Sequence, residues 1–159
     1  MSSNTTSQNI SKKLKTLTII HWTIVLPLVM GAVVLFAINF QRPTEAPGET
    51  IDYLIFLPLL AMVVTLPLSS IFYNQSLKNK LNLPLDKKID AYFSASIMRD
   101  SFLEIPGVIT CIVSYILGNS VILAVILIIL LKFYATRPVA KKISADLRLS
   151  RSEQDQLPV

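Results

Sequence analysis

Long apolar runs alternate with short polar and basic segments along the whole chain. The apolar runs cover roughly residues 16–40, 51–73, 98–117 and 119–136. A helix needs about 20 apolar residues to cross a hydrocarbon core of about 30 Å, and each run supplies most or all of that length. Because backbone groups in lipid must be satisfied within their own segment, these runs predict helices. The pattern therefore predicts an all-α, polytopic membrane protein with four transmembrane helices arranged as two antiparallel hairpins.

The segments between and before these runs predict two further features. Residues 1–15 are rich in Ser, Asn and Thr and then in lysine, which is typical of a disordered basic tail. Pro84-Leu85-Asp86 is a signal for the start of a helix. We expect the helix that begins there to continue into the third apolar run.

Residues 137–159 are predicted to form a cytoplasmic tail that begins with a short basic amphipathic helix. Val139, Ile143 and Leu147 recur at every fourth position after Pro138. Such a helix is suited to the membrane surface, with its apolar stripe against the bilayer. An ordinary juxtamembrane tail is the alternative, because so short a helix is marginal on its own. Three basic residues lie off the stripe and are expected among anionic lipid headgroups: Lys141, Lys142 and Arg148.

The distribution of lysine and arginine predicts the orientation. Of the 15 such residues, three precede the first run, five lie from Lys78 to Arg99 at the start of the third run, and six lie from Lys132 onward. The exception is Arg42, in the loop between the first two runs, which also carries Glu45 and Glu49. Basic residues concentrate in cytoplasmic loops. Both termini are therefore predicted to be cytoplasmic, with residues 41–50 and 118–120 outside.

Composition agrees with a membrane location and narrows the choice of partners. Apolar residues make up 52% of the chain and charged residues 16%, against about 25% charged residues in soluble domains. The net charge of +5 comes from basic residues beside apolar runs, which favours anionic lipid over nucleic acid as a partner. The single cysteine, Cys111, permits no intrachain disulfide and no cysteine metal site. No metal or other cofactor is predicted.

The third run contains the one group of residues that could carry chemistry. Six polar or small residues follow spacings of 4, 3, 4, 3 and 4, which place them on one helix face. Small residues on one face of a membrane helix are typical of close helix packing, and a carboxylate there is kept away from lipid. The six residues are Asp100, Glu104, Gly107, Cys111, Ser114 and Gly118.

The tight turn after the third run predicts which residues lie opposite this face. If the turn is centred between Gly118 and Asn119, Asp100 lies level with Arg137, and Glu104 lies beside Lys132. One interpretation is that these two pairs neutralise buried charge and lock the third and fourth helices together. The other is that Glu104 exchanges a proton or a cation.

Two further observations bear on the candidate chemistry: the position of His21 and the absence of catalytic motifs from the sequence. His21 is the only histidine and lies next to the only tryptophan, Trp22, so an interfacial aromatic belt is one interpretation and a contact with Glu104 is the other. The sequence has no phosphate-binding loop, zinc-protease, nucleophile-elbow or dinucleotide-binding motif. We therefore predict a non-enzymatic integral membrane protein that is an accessory subunit of a larger complex or a homo-oligomer. The alternative is a small proton- or cation-coupled transporter or channel that uses Glu104.

The second half of the chain contains two distinctive stretches, IMRDSFLEIPGVITCIVSYILGNS and RPVAKKISADLRLS. In these stretches it resembles a family of uncharacterised four-span inner-membrane proteins of Bacteroidota. The family patterns "ALxEGPALF" and "yLLTGN" fit residues 101–107 and 115–120 loosely, and Pro106 departs from the first. The resemblance implies a multi-pass protein of the bacterial inner membrane and no particular activity. The pattern "RPTxxKIxxDLxL" fits better, at Arg137, Pro138, Lys142, Ile143, Asp146, Leu147 and Leu149.

Overall fold

Every regular element that the structure describes is a helix, as the sequence predicts. The structure is a computed structural model that describes residues 3–41, 53–155 and 157, and this part of the chain contains no strand. Two short 3-10 turns, Tyr53–Ile55 and Ser120–Leu123, precede the second and fourth of its α-helices. The α-helices are α1 (Ser3–Gln41), α2 (Phe56–Lys78), α3 (Leu85–Leu117), α4 (Ala124–Thr136), α5 (Ala140–Asp146) and α6 (Arg151–Gln154).

Three of these helices are long and apolar enough to cross a membrane. They are α1, α2 with the turn before it, and α3. The segment Ser120–Thr136 and α5 pass the same test only as a pair, and the chain bends by 77° between them. The described chain therefore has three candidate spans, or four if the bent pair counts as one, which suggests a membrane protein. The predicted outer loop from 42 to 50 lies outside the described residues.

Local sequence signals explain where α3 begins and ends. The helix begins directly after Pro84, as predicted, and Asp86 lies in its first turn, where a carboxylate interacts favourably with the helix dipole. It ends at Gly118, whose φ of 61° is in the left-handed region that favours glycine. The side chain of Asn119 then accepts a hydrogen bond from the backbone N–H of Val121 at 2.9 Å. These contacts turn the chain directly into α4.

Helix α3 is the centre of the fold. Helices α1, α2 and α4 all pack on it, whereas α1 and α2 have no extended packing on each other among the described residues. The buried apolar side chains form two clusters along α3. The central cluster consists of Val25, Leu28, Leu103, Leu123, Ile126, Ile129 and Phe133. The end cluster consists of Ile10, Leu14, Leu17, Tyr73, Leu77, Ile89, Tyr92, Ala95, Ile143, Leu147, Leu149 and Leu157.

Residues 3–15 are helical, which differs from the prediction of a disordered tail over residues 1–15. Helix α1 begins at Ser3, and Ile10 and Leu14 are buried in the end cluster. The polar composition of this segment suggested disorder. The spacing of Ile10, Leu14 and Leu17 places them on one helix face, however, and that face is buried in the end cluster, which also contains residues of α2, α3 and α5.

The predicted amphipathic helix exists as α5, but two of the three residues of the apolar stripe are inside the protein. Ile143 and Leu147 are 1% and 0% exposed and belong to the end cluster, so the prediction that they face the bilayer is wrong. An amphipathic pattern requires an apolar partner, and here the extended ends of α1, α2 and α3 provide it.

The three predicted headgroup residues of this segment have different surroundings. Lys141 and Arg148 are exposed, whereas Lys142 is half-buried and donates to the carbonyl oxygen of Ala135 at 2.9 Å. In α6, Glu153 accepts a hydrogen bond from Lys88 of α3 at 2.8 Å. This hydrogen bond lowers the pKa of the Glu153 carboxyl. The C-terminal segment is therefore fastened to α3 by an ion pair as well as by apolar contacts.

Gly107 allows α1 to approach α3 closely, and its substitution gives a first prediction. A Cβ atom at this position would lie 2.6 and 2.8 Å from the two methyl carbons of Leu28, which is itself buried in the central cluster. Overpacking of this kind typically costs about 1–3 kcal/mol, and the higher helix propensity of alanine offsets up to about 1 kcal/mol of that cost. We expect Gly107→Ala to lower the thermal unfolding temperature of the protein in mild detergent.

Gly31→Ala is the matched control, because a Cβ atom there would lie 3.8 Å from the sulfur of Cys111, an ordinary contact. It should be neutral or slightly stabilising, since alanine favours a helix by up to about 1 kcal/mol over glycine. The double variant Gly107→Ala/Leu28→Ala should lose less stability than the sum of the losses in the two single variants. Equal unfolding temperatures for the two glycine variants would contradict the close approach.

Candidate functional site

A layer of charged and polar side chains separates the end cluster from the central cluster. On α1, His21 lies between Leu17 of the end cluster and Val25 of the central cluster. On α3, Asp100 is followed one turn later by Leu103, which belongs to the central cluster. We refer to His21, Tyr73, Arg99, Asp100, Thr136 and Asp146 as the polar layer.

The most deeply buried ion pair in the polar layer joins α1 to α3. His21 Nδ1 lies 2.6 Å from Asp100 Oδ2, and both side chains are only 2% exposed. The imidazole ring also packs edge-on against Phe133 of α4, with the ring centroids 5.6 Å apart. His21 is therefore a buried partner of Asp100, which differs from both the interfacial belt and the contact with Glu104 that the sequence suggested.

Arg99 is the cation that compensates Asp100. Its Nε lies 3.5 Å from Asp100 Oδ1, and its Nη2 donates to the backbone carbonyl of Thr136 at 2.7 Å. Thr136 is the last residue of α4, where carbonyls lack partners within the helix, so the guanidinium satisfies one of them. The guanidinium also lies 4.4 Å from the ring centroid of Tyr73, a cation–π contact with α2.

Tyr73 extends the layer to the C-terminal segment. Its hydroxyl donates to Asp146 Oδ2 at 2.5 Å, and its ring packs edge-on against Tyr92 at 6.2 Å. Asp146 is the last residue of α5. The polar layer therefore joins all five helices from α1 to α5 through charged or hydrogen-bonded contacts.

The structure does not form the two ion pairs predicted across the turn between α3 and α4. Glu104 and Lys132 are both half-buried, and neither takes part in an ion pair within the described residues. Arg137 is exposed and lies over the ring of Tyr134 at 4.4 Å, instead of facing Asp100. The predicted register was nearly correct, since Arg99 reaches the carbonyl of Thr136, but the side chains that face each other were misidentified.

The reason is a rotation of the buried face of α3. The predicted stripe combined two rows of the helix, one of Asp100, Gly107 and Ser114 and one of Glu104, Cys111 and Gly118. The first row is buried, whereas all three residues of the second are half-buried. The buried face instead extends to the other side of the first row, through Arg99, Leu103, Pro106, Thr110 and Val113.

Four functional candidates were not recognised in the sequence: Arg99, Tyr73, Thr136 and Asp146. Arg99 was counted only as a cytoplasmic cation, and Tyr73 only as the end of an apolar run. The adjacent pair Arg99-Asp100 inside a helix was the available signal. Ionisable residues at such a position pair with one another or with backbone carbonyls, and Arg99 does both here.

Along α3, the polar layer has no continuous polar connection to the far end of the helix. Beyond Asp100, the centre of the bundle is filled by Leu103, Leu28 and Val25. The next buried polar side chain on α3 is Thr110, about 15 Å further at about 1.5 Å per residue. Its hydroxyl donates to the carbonyl of Pro106 in its own helix at 2.6 Å.

A second, smaller polar contact lies at the other end of α3. Asn39 Nδ2 donates to the carbonyl and the hydroxyl oxygen of Ser114, at 3.1 and 3.0 Å. The Ser114 hydroxyl donates in turn to the carbonyl of Asn119 at 3.0 Å. This contact joins the end of α1 to the turn before α4, and the apolar central cluster separates it from the polar layer.

The described residues bring together no group of three His, Cys, Asp or Glu side chains that could hold a metal ion. The polar layer offers one imidazole and one carboxylate in contact, with Arg99 as the neighbouring cation. No family model, curated protein or solved structure matches this chain.

Proposed function

We propose that this chain is a non-enzymatic integral membrane protein that serves as an accessory subunit or homo-oligomer in a bacterial inner membrane. The observation that carries the proposal is the polar layer. Its buried imidazole, carboxylate and guanidinium contact one another and the end of α4, with distances of 2.6 to 3.5 Å. Ionisable groups inside a membrane are tolerated when they are paired, and this pairing joins helices rather than lining a pathway.

The proposed topology has four spans in two antiparallel hairpins, with both termini in the cytoplasm. Its support is the placement of 14 of the 15 lysine and arginine residues on one side of the apolar runs. The polar layer then lies near the cytoplasmic edge of the membrane. The end cluster and the C-terminal segment form a small cytoplasmic extension of the bundle.

The proposed assembly has its support in α2. This helix packs on α3, and its outward face carries exposed apolar side chains such as Leu60 and Val63. On the opposite face, Thr65 and Ser69 are buried. The outward face is accessible to lipid or to another chain, which makes it the first surface to test for contacts with partners.

A panel of single cysteines in a Cys111→Ala background tests topology and assembly together. Glu45→Cys, in the loop outside the described residues, should react with an impermeant maleimide in intact cells. Ser150→Cys should react only after the membrane is opened. Val63→Cys should give an oxidative cross-link in native membranes, to a second copy or to another protein, whereas the buried control Thr65→Cys should give none.

Two results would count against the proposal. Labelling of Glu45→Cys only after the cytoplasmic side is opened would reverse the topology. Absence of cross-links from every exposed position of α2, with normal expression and membrane insertion, would remove the support for an accessory or oligomeric role.

A proton- or cation-coupled transporter that uses Glu104 is a second candidate. One observation favours it: Glu104 is half-buried in α3, and its carboxylate forms no ion pair among the described residues. An intramembrane carboxylate without a paired charge is a candidate ion site. The apolar filling of the bundle argues against it. A flux in proteoliposomes that disappears in Glu104→Gln, with unchanged stability, would replace the structural proposal with this one.

A further inference from the structure

Two adjoining pockets lie along the first half of α3. The first, of about 490 Å³, lies beside the connection from α2 to α3 and is lined partly by Lys80 and Lys87. The second, of about 530 Å³, follows one face of α3 and is lined mainly by apolar side chains, including Phe93, Ile97 and Ile105. Ser94 and Met98 line both pockets, so the two form one continuous surface.

The charge of the first pocket is positive. Lys80 and Lys87 are exposed, and neither ammonium group forms an ion pair with any described residue. The one carboxylate in the lining, Asp90, is already paired with Lys13 of α1. The neighbouring Lys88 points elsewhere and is paired with Glu153. Two uncompensated cations therefore face the pocket, which makes it complementary to an anion.

The second pocket is a mainly apolar groove that follows α3 from Phe93 to Ile105, and an acyl chain suits such a lining. From Ser94 to Ile105 the helix rises about 17 Å, at about 1.5 Å per residue, and in the proposed topology this stretch runs from the level of the headgroups past the polar layer into the hydrocarbon core. Phe102 forms part of its wall and stacks on Phe72 of α2 at 5.3 Å. This stacking holds the aromatic wall in place beside the groove.

We propose that this surface binds one anionic phospholipid of the cytoplasmic leaflet. The phosphate of the headgroup lies between Lys80 and Lys87, and an acyl chain follows α3 from Ser94 towards Ile105. Basic pockets at the cytoplasmic ends of membrane helices are suited to such headgroups. The inference rests on the proposed membrane topology, which places this end of α3 at the cytoplasmic face.

Binding of phosphatidylglycerol to the purified full chain in mild detergent tests the proposal, with phosphatidylcholine of the same acyl chains as the comparison. Bound lipid is counted by native mass spectrometry. The double variant Lys80→Gln/Lys87→Gln should bind phosphatidylglycerol about 30-fold less tightly than the wild type, from the usual contribution of two basic residues near such a headgroup. The control Lys12→Gln/Lys141→Gln removes the same charge from exposed positions outside both pockets and should bind like the wild type.

A third variant tests the acyl groove. Ser101 is exposed and lines the second pocket, so Ser101→Trp should fill the groove without disturbing the buried core. This variant should bind phosphatidylglycerol less tightly than the wild type. In a separate competition experiment on the wild type, inorganic phosphate should displace the lipid poorly. Phosphate that competes as well as the lipid would assign the pocket to a free anion and overturn the proposal.

Three other outcomes would also overturn it. The first is an equal loss of phosphatidylglycerol affinity in the Lys80→Gln/Lys87→Gln variant and in its control. The second is binding of phosphatidylcholine as tight as that of phosphatidylglycerol. The third is a dimer in which Ser101 is covered by a second copy of the chain. Extraction of the membranes that contain the wild-type chain with alkaline carbonate distinguishes a failure of the lipid-site proposal from a failure of the proposed function. A wild-type chain released by carbonate would refute the membrane function itself, whereas a retained chain without lipid preference would refute only the lipid site.

Discussion

Replacing Asp100 with asparagine is expected to lower the free energy of unfolding by about 3–5 kcal/mol, the usual cost of removing one partner of a buried ion pair. Asp100 is almost completely buried and contacts both His21 and Arg99. Without its charge, the Arg99 guanidinium remains between two apolar clusters with only a carbonyl and an aromatic ring as partners. Thermal unfolding in mild detergent, followed by circular dichroism, measures the change.

Glu104→Gln is the matched control, because it makes the same chemical change one turn along α3 at a residue without an ion pair in the described structure. Its cost should be about 0.5 kcal/mol or less, as for substitutions away from buried networks. A triple variant, His21→Phe/Arg99→Met/Asp100→Leu, should recover most of the stability lost in Asp100→Asn, since replacing a whole buried network by apolar groups can be nearly neutral. Equal losses for Asp100→Asn and Glu104→Gln would refute the assignment of the polar layer.

Replacing Leu147 with alanine is expected to cost about 2–5 kcal/mol, the usual range for a buried leucine. Leu147 is 0% exposed and lies in the end cluster with residues of α1, α2 and α3. The same unfolding experiment measures the loss. The result distinguishes a C-terminal segment packed in the protein from one that lies on the bilayer.

Val139→Ala provides the control for this prediction, because Val139 precedes α5 on the same predicted stripe and is 40% exposed. Its effect should be about 0.5 kcal/mol or less. Small and equal effects at both positions would show that the segment faces lipid. A loss of stability only in the presence of vesicles would point to the same conclusion.

The extent of the helices could be predicted from the sequence because apolar run length and proline signals act locally. The start of α3 after Pro84 and its end at Gly118 agree with those signals. The buried face of α3 was harder to predict, because spacing defines rows of residues but not which rows meet another helix. Asp100 belongs to a buried row of α3, while Glu104 lies at the edge of that row. Asp100 therefore forms ion pairs, and Glu104 forms none within the described residues.

The C-terminal segment shows a different limit of sequence reasoning. The pattern of Ile143 and Leu147 requires an apolar environment, but lipid and protein satisfy that requirement equally. The choice depends on Ile10, Leu14 and Leu17, which are more than 100 residues away in the chain. Recognising these three as a helix face in a polar segment would have indicated a protein surface available to cover α5.

The central position of α3 has a consequence for how the protein is made. Helices α1 and α2 leave the ribosome first, yet each packs mainly on α3 and not on the other. The partner of His21 is 79 residues further along the chain, which at about 5–20 residues per second corresponds to a delay of roughly 4–16 s. In the proposed topology, α1 enters the membrane during this interval with an imidazole that lacks its carboxylate partner. Nascent chains that end before Asp100 should therefore stay bound to the insertion machinery, and release should follow synthesis of α3.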